Sequence, residues 1–237
     1  SMKKYGSLTV FTSKEFSHLR LTIPWLVEKL VPAYGINMIY ADPKIGKSIL
    51  TAQLCHALAT ATPFLDYTIT KKWKVLYVQA DEPAPEWSEQ LARLGISDDE
   101  WCTVHLAPGA LTQPAVVTDV KLACKDYEFV VFDSLISLFA YPDIRAATVM
   151  GHLLNQLRMI HTGPTWIIHH KLKGQSGIPR STHTSAAGSF ALSAGVSTLL
   201  DLSARQLTVL GRVVSAKLNL TRATNGLWLP DTRVMLY

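Results

Sequence analysis

A chain of 237 residues with 48% hydrophobic and 17% charged residues has apolar surface enough for a full core, which excludes a disordered chain. No apolar run approaches the ~20 residues of a membrane-spanning helix, and no signal peptide opens the sequence. The net charge of +5 is compatible with a nucleic-acid partner but selects none by itself.

Residues 2–20 mix polar and aromatic side chains without a sustained period, and are expected to wrap the edge of the core. Thr22 and Pro24, followed by Trp25, Leu26 and Leu30, predict a short helix leading into the first core strand. Met38, Ile39 and Tyr40 then form an apolar run that reads as a buried strand. The segment Ala41-Asp42-Pro43-Lys44-Ile45-Gly46-Lys47-Ser48-Ile49 follows, and Ile49, Leu50 and Leu54 open a helix that ends near Thr62-Pro63.

Strand, loop and helix with Gly-Lys-Ser at the loop's end is the context a phosphate-binding loop requires. Backbone N–H groups of residues 44–48 can wrap a triphosphate, and the helix N-terminus adds its positive dipole end. Lys47 supplies a point charge between the β- and γ-phosphates, and the Ser48 hydroxyl can ligate Mg²⁺. Ala41 stands where the full pattern has its first Gly, which requires a negative φ there.

Residues 74–79 (KVLYVQ) hold a continuous apolar run, the mark of a strand buried on both faces of a parallel sheet. That strand ends at Asp81 and Glu82, placing two carboxylates at the edge where open α/β sheets bind ligands. A helix over 85–94, a short strand over 103–106 and a helix over 113–125 come next. Residues 129–132 form a second apolar strand that delivers Asp133, followed by Ser134. Four apolar residues closing on Asp make the Walker B pattern, its carboxylate serving Mg²⁺ directly or through a water.

Val149, Leu153, Leu157 and Ile160 mark an amphipathic helix over 147–160, and residues 165–168 (TWII) a strand ending at His169-His170. The His pair reads either as core packing or as a functional group at the sheet edge. Residues 171–187 are rich in Gly, Ser, Thr and basic side chains, and read as a functional loop or as a solvated one with incidental charge. A strand over 196–202 precedes three alternating segments, 206–210, 213–220 and 227–237, expected as antiparallel hairpins with a turn at 223–226. With no repeat or linker, the chain reads as one domain, an edge segment over 1–30 and a core over 31–237. Cys55, Cys102 and Cys124 stand singly in apolar segments and read as buried thiols of a reducing cytoplasm.

The motifs ADPKIGKS, VLYVQADEP, VVFDS, IIHHKLKG and GSFALSAGVSTLLDL, in this order and spacing, resemble the RecA-like P-loop ATPase core. The likeness is to the branch of plasmid and phage ring helicases of the RepA type. It implies an α/β fold, a mainly parallel sheet flanked by helices with antiparallel C-terminal strands. It also implies ATP and Mg²⁺ as cofactors, and a homo-oligomeric, typically hexameric, ring with nucleotide sites between subunits. Carried over, residues 43–48 hold the phosphates and Asp133 serves the metal. The strand carrying the catalytic glutamate ends here in Asp81-Glu82, the reverse of the family's order. Either Asp81 takes that place or Glu82 does, and Glu82 is favoured. His170 resembles the residue that senses the γ-phosphate. The loop after it would face single-stranded DNA, with Lys171, Lys173 and Arg180 available for its phosphates. Arg222, with Arg212 in reserve, matches the arginine that reaches a neighbouring subunit's γ-phosphate.

Two functions from different classes follow. One is an oligomeric ATPase that moves along or unwinds DNA. The other is a nucleotide-switched binding or scaffold protein that turns over slowly, which the Asp81-Glu82 order and Ala41 favour. A small-molecule kinase would show an arginine-rich lid, and the sequence has none.

Overall fold

The computed structural model describes residues 2–96, 101–140, 147–170 and 195–231. Lys3–Tyr5 (β1) and Leu8–Val10 (β2) pair as an antiparallel hairpin, and Ser13–His18 (α1) follows. A capping box starts α1: Glu15 N donates to Thr12 Oγ1 at 3.1 Å, and Thr12 N donates to Glu15 Oε2 at 2.9 Å. The helix expected from Pro24 onward is absent. Trp25–Val27 (β3) and Val31–Pro32 (β4) instead make a second small hairpin, turning at Lys29 with φ 58°. The β-branched Val27 and Val31 favour extended backbone. The hairpin also buries Leu26, Val27, Leu30 and Val31 together, which a one-faced helix could not do.

The main sheet begins with Ile36–Ala41 (β5), from which Lys47–Thr60 (α2) departs. Val75–Gln79 (β6), Ala84–Arg93 (α3), Cys102–His105 (β7) and Pro114–Cys124 (α4) follow. Phe129–Asp133 (β8) leads into a short helix the sequence did not signal, Leu135–Phe139 (α5). Ala147–Ile160 (α6), Thr165–His170 (β9) and Thr198–Leu202 (β10) complete the parallel part. Gln206–Gly211 (β11), Ser215–Arg222 (β12) and Trp228–Pro230 (β13) extend it antiparallel. The strand order is β13-β12-β11-β10-β5-β9-β8-β6-β7, as expected for an α/β fold with antiparallel C-terminal strands.

Strands β5, β6 and β8 are buried along their whole length, because helices cover both faces of the sheet. On one face, Leu50 and Leu54 of α2 and Trp87 of α3 pack on Ile39, Tyr77, Val131 and Trp166. On the other, Val120 of α4, Leu135 of α5 and Leu153 and Leu157 of α6 cover Met38, Val78, Phe132 and Ile167. Each such large side chain contributes roughly 1.5–3 kcal/mol by leaving water. Ala52, Ala57 and Ala59 keep α2 slim among its buried neighbours, and its Thr51 hydroxyl accepts the buried Trp166 indole N–H at 3.1 Å. Cys55 and Cys124 are buried as expected, but Cys102 is exposed, because β7 is an edge strand that presents most of its side chains to water. Among the described residues no helix is long and apolar enough to cross a membrane.

After β5 the chain moves out to β6 and β7, returns through β8 and β9, and then crosses to β10 on the far side of β5. The order therefore reverses at β5, and the C-terminal edge there is the crevice in which such sheets bind ligands.

Candidate active site

Register brings four strand ends to that edge: Ala41 pairs with His170, and Gln79 with Asp133. Ala41 closes β5 in extended backbone, so the residue standing in place of Gly needs no left-handed turn. Asp42, Pro43 and Lys44 form the exposed crest of the loop, and Ile45, Gly46, Ser48 and Ile49 are half-buried around the start of α2. Gly46 caps α2 with φ 109°, a conformation that excludes other residues, and a β-carbon there would collide with the Arg222 guanidinium. Lys47 is buried, and its ammonium donates to the Ala41 and Asp42 carbonyls at 3.2 and 3.0 Å. The loop is thus closed around its own lysine.

Ser48 Oγ donates to Asp133 Oδ2 at 3.0 Å, and the Tyr77 hydroxyl donates to the same oxygen at 2.6 Å. Asp133 Oδ1 is buried and has no hydrogen-bond partner among the described residues. Burial lifts the Asp133 carboxyl to about 7, and the nearby Asp81 and Glu82 add to the rise that Tyr77 and Ser48 oppose. A hydroxyl and a buried carboxylate with an uncommitted oxygen are hard oxygen donors, and they fit Mg²⁺.

The two carboxylates after β6 differ in environment. Asp81 Oδ1 accepts from Ser134 Oγ at 2.9 Å and Ser137 Oγ at 2.6 Å, while His170 Nε2 lies 3.3 Å from Oδ2. These partners, His170 foremost, hold Asp81 well below the usual carboxylate range. The Glu82 carboxylate has no hydrogen bond or ion pair among the described residues, and burial raises it, with the Asp81 charge adding to the rise. Gln79, wholly buried, orients both: its Oε1 accepts the backbone N–H groups of Asp81 and Glu82 at 2.5 and 3.1 Å. His169, the neighbour of His170, is buried, and that burial depresses it to about 4, so it is neutral at pH 7.

A phosphate loop, a lysine, a Ser–Asp pair and a carboxylate at one sheet edge coincide with a sequence match: residues 10–176 fit the family model described as AAA domain. The chain belongs to the AAA domain family. It is a family of P-loop ATPases, and its match covers well over half of this chain, from the N-terminal hairpin past the end of β9. No curated protein matches the chain.

In this AAA domain the expected site residues divide into three groups. Residues 42–49, Lys47, Asp81, Glu82, Asp133 and His170 come together at one edge. Lys171, Lys173 and Arg180 lie outside the described residues. The two arginines separate. Arg212 follows Gly211, which is level with Thr198 and, through it, with Asn37, so it stands at the edge opposite the phosphate loop. Arg222, expected to reach a neighbouring subunit's γ-phosphate, faces the phosphate loop of its own chain. Its Nη1 lies 3.4 Å from the Ile45 carbonyl of the same chain, and its guanidinium stacks over Trp228 at 4.7 Å. The cause is strand direction: β12 runs parallel to β5, two strands away from β10, and so ends at the site.

Tyr77, Gln79 and Ser137, which bond Asp133, Asp81 and Glu82, escaped sequence reasoning, as did Gln53 and Trp228, which stand behind the phosphate loop. Tyr77 and Gln79 alternate on β6 toward the same face, a period-2 signal hidden because the whole run is apolar apart from its last residue.

Proposed function

We propose that this AAA domain hydrolyses ATP as a RecA/RepA-like motor on DNA, working as a ring-forming helicase or single-strand-dependent ATPase. The amides of residues 44–48 and the Lys47 ammonium receive the phosphates. Ser48 and Asp133 hold Mg²⁺, which when bound neutralises charge developing on the β- and γ-phosphates. Glu82 is the group that orients the attacking water and takes its proton. Its raised carboxyl favours proton uptake, and it has no competing partner among the described residues. Asp81, already paired, positions His170.

The observation that carries the motor reading is the His170–Asp81 contact at 3.3 Å. His170 is the last residue of β9, and Lys171 opens the basic stretch directly after it. A change at the carboxylates therefore has a one-residue path to the stretch proposed to contact DNA. The scaffold reading is favoured by a different observation: Asp81 is committed to Ser134, Ser137 and His170, leaving one carboxylate to handle water.

The test is ATP turnover with and without single-stranded DNA, alongside sizing with and without ATP. Stimulation by DNA and ATP-dependent assembly are expected. Replacing Lys171, Lys173 and Arg180 together should weaken single-strand binding and flatten its salt dependence while basal turnover survives. Turnover indifferent to DNA, with DNA affinity unmoved by the triple replacement, would leave the scaffold reading.

A further inference from the structure

Gly46 O accepts two hydrogen bonds, one from Leu50 N at 3.1 Å within α2 and one from the Trp228 indole at 3.0 Å. Trp228 is buried and comes from the last described strand, β13. Gln53, on the second turn of α2, holds that strand in place with a two-point pair: Trp228 N donates to Gln53 Oε1 at 2.8 Å, and Gln53 Nε2 donates to Trp228 O at 2.9 Å. One residue earlier in the loop, the Ile45 carbonyl faces Arg222, which is itself stacked on the Trp228 ring.

A peptide group is planar, so fixing a carbonyl fixes the N–H at the other end of the same plane. The Gly46 carbonyl shares its plane with Lys47 N–H, and the Ile45 carbonyl shares its plane with Gly46 N–H. Both N–H groups belong to the loop that receives phosphate. We propose that Trp228, seated by Gln53 and backed by Arg222, is a positioning residue for nucleotide binding. It aims two consecutive amides of the phosphate loop from behind. The inference rests on the nucleotide reading of this site and adds the outer strands to its machinery. A loop aimed in advance improves ground-state and transition-state phosphate contacts alike, so the effect belongs in affinity and not in turnover at saturation.

The experiment compares the full chain with Trp228→Phe, which keeps an aromatic ring and removes the N–H, using Mg²⁺–ATP as the probe. Dissociation constant, turnover at saturation and the unfolding midpoint are read together. The expected result is an ATP dissociation constant raised about fivefold, as for one lost hydrogen bond, with saturated turnover within about twofold of the parent. Gln53→Met, on the half-buried face of α2, removes the two-point pair and carries the same test should Trp228→Phe fail to fold. A lowered midpoint with unchanged ATP affinity would make Trp228 a packing residue only and overturn the proposal. Should the parent chain itself bind no ATP, the nucleotide reading fails first, and the two failures are distinct.

Discussion

His170 and Asp81 meet at 3.3 Å across the end of β8, the strand that lies between theirs and delivers Asp133. Ser134, next to Asp133, donates to the same Asp81 carboxylate. Asp133, through the adjacent Ser134, and His170 are therefore joined through one acidic residue, Asp81. This assigns the carboxylates different work, and the assignment can be measured.

Glu82→Gln should bind ATP and hydrolyse it roughly 10²-fold slower or worse, as expected when a general base is removed. Asp81→Asn should be milder in basal turnover and should instead lower any stimulation by DNA, since it loosens His170. Single-turnover and steady-state ATPase assays separate the two. The reverse ranking would give the base role to Asp81.

Lys47→Ala should lower ATP affinity by about 10- to 100-fold, the range for losing charge-assisted hydrogen bonds. Its ammonium bonds to loop carbonyls and not to the apolar core, so the secondary structure seen by circular dichroism should be unchanged. A Lys47→Ala chain with the parent's ATP affinity would remove the nucleotide site from this position.

Arg222→Ala mixed with Lys47→Ala should recover no activity beyond the sum of the two. Both side chains serve the loop of their own chain, Arg222 through Ile45 and Lys47 through Ala41 and Asp42. Recovery in the mixture would mean that Arg222 leaves its own loop to act on a neighbour.

Asp133 gives a pH signature. Its folded carboxyl stands at about 7, above the ordinary value, so between roughly pH 4 and 7 the folded state binds the extra proton. Stability from this group is fully present below that window and is lost as pH rises through it, at up to about 1.4 kcal/mol per pH unit. The difference between parent and Asp133→Asn unfolding midpoints should therefore fall from pH 4 to pH 8. Mg²⁺ with nucleotide should reverse that fall, because it favours the ionised carboxylate. Removing the Tyr77 hydroxyl with Tyr77→Phe should move the window to higher pH, since its bond to Asp133 opposes the rise. A difference curve flat with pH would contradict the buried-carboxyl account.

Much of this was readable in advance where local pattern and burial agree. The apolar runs of β5, β6 and β8 and the Gly46-Lys47-Ser48 turn each specify their structure within a few residues. The segment after Pro24 misled because Trp25, Leu26 and Leu30 fit a helical face as well as they fit a hairpin. Only the core they enter together decides between the two. Tyr77 and Ser137 act through partners 56 residues away, so no spacing rule marks them, and Gln79 turns its amide back on the two residues that follow its own strand. Arg222 was legible as a site residue but not in its orientation, which depends on how many antiparallel strands precede it.

The indole of Trp228 and the carbonyl of Gly46 are 182 residues apart along the chain. A polypeptide growing from its N-terminus thus writes the phosphate loop well before the strand that supports it. Synthesis alone could then finish every parallel strand by Leu202 while the nucleotide grip stays immature. Stalled chains of stepped length should gain tight ATP binding only after residue 228 has emerged, and full affinity in a chain halted at 210 would refute the idea. Order of manufacture would then act as a timer on affinity: a chain not yet grown to Trp228 holds ATP more weakly than the finished one.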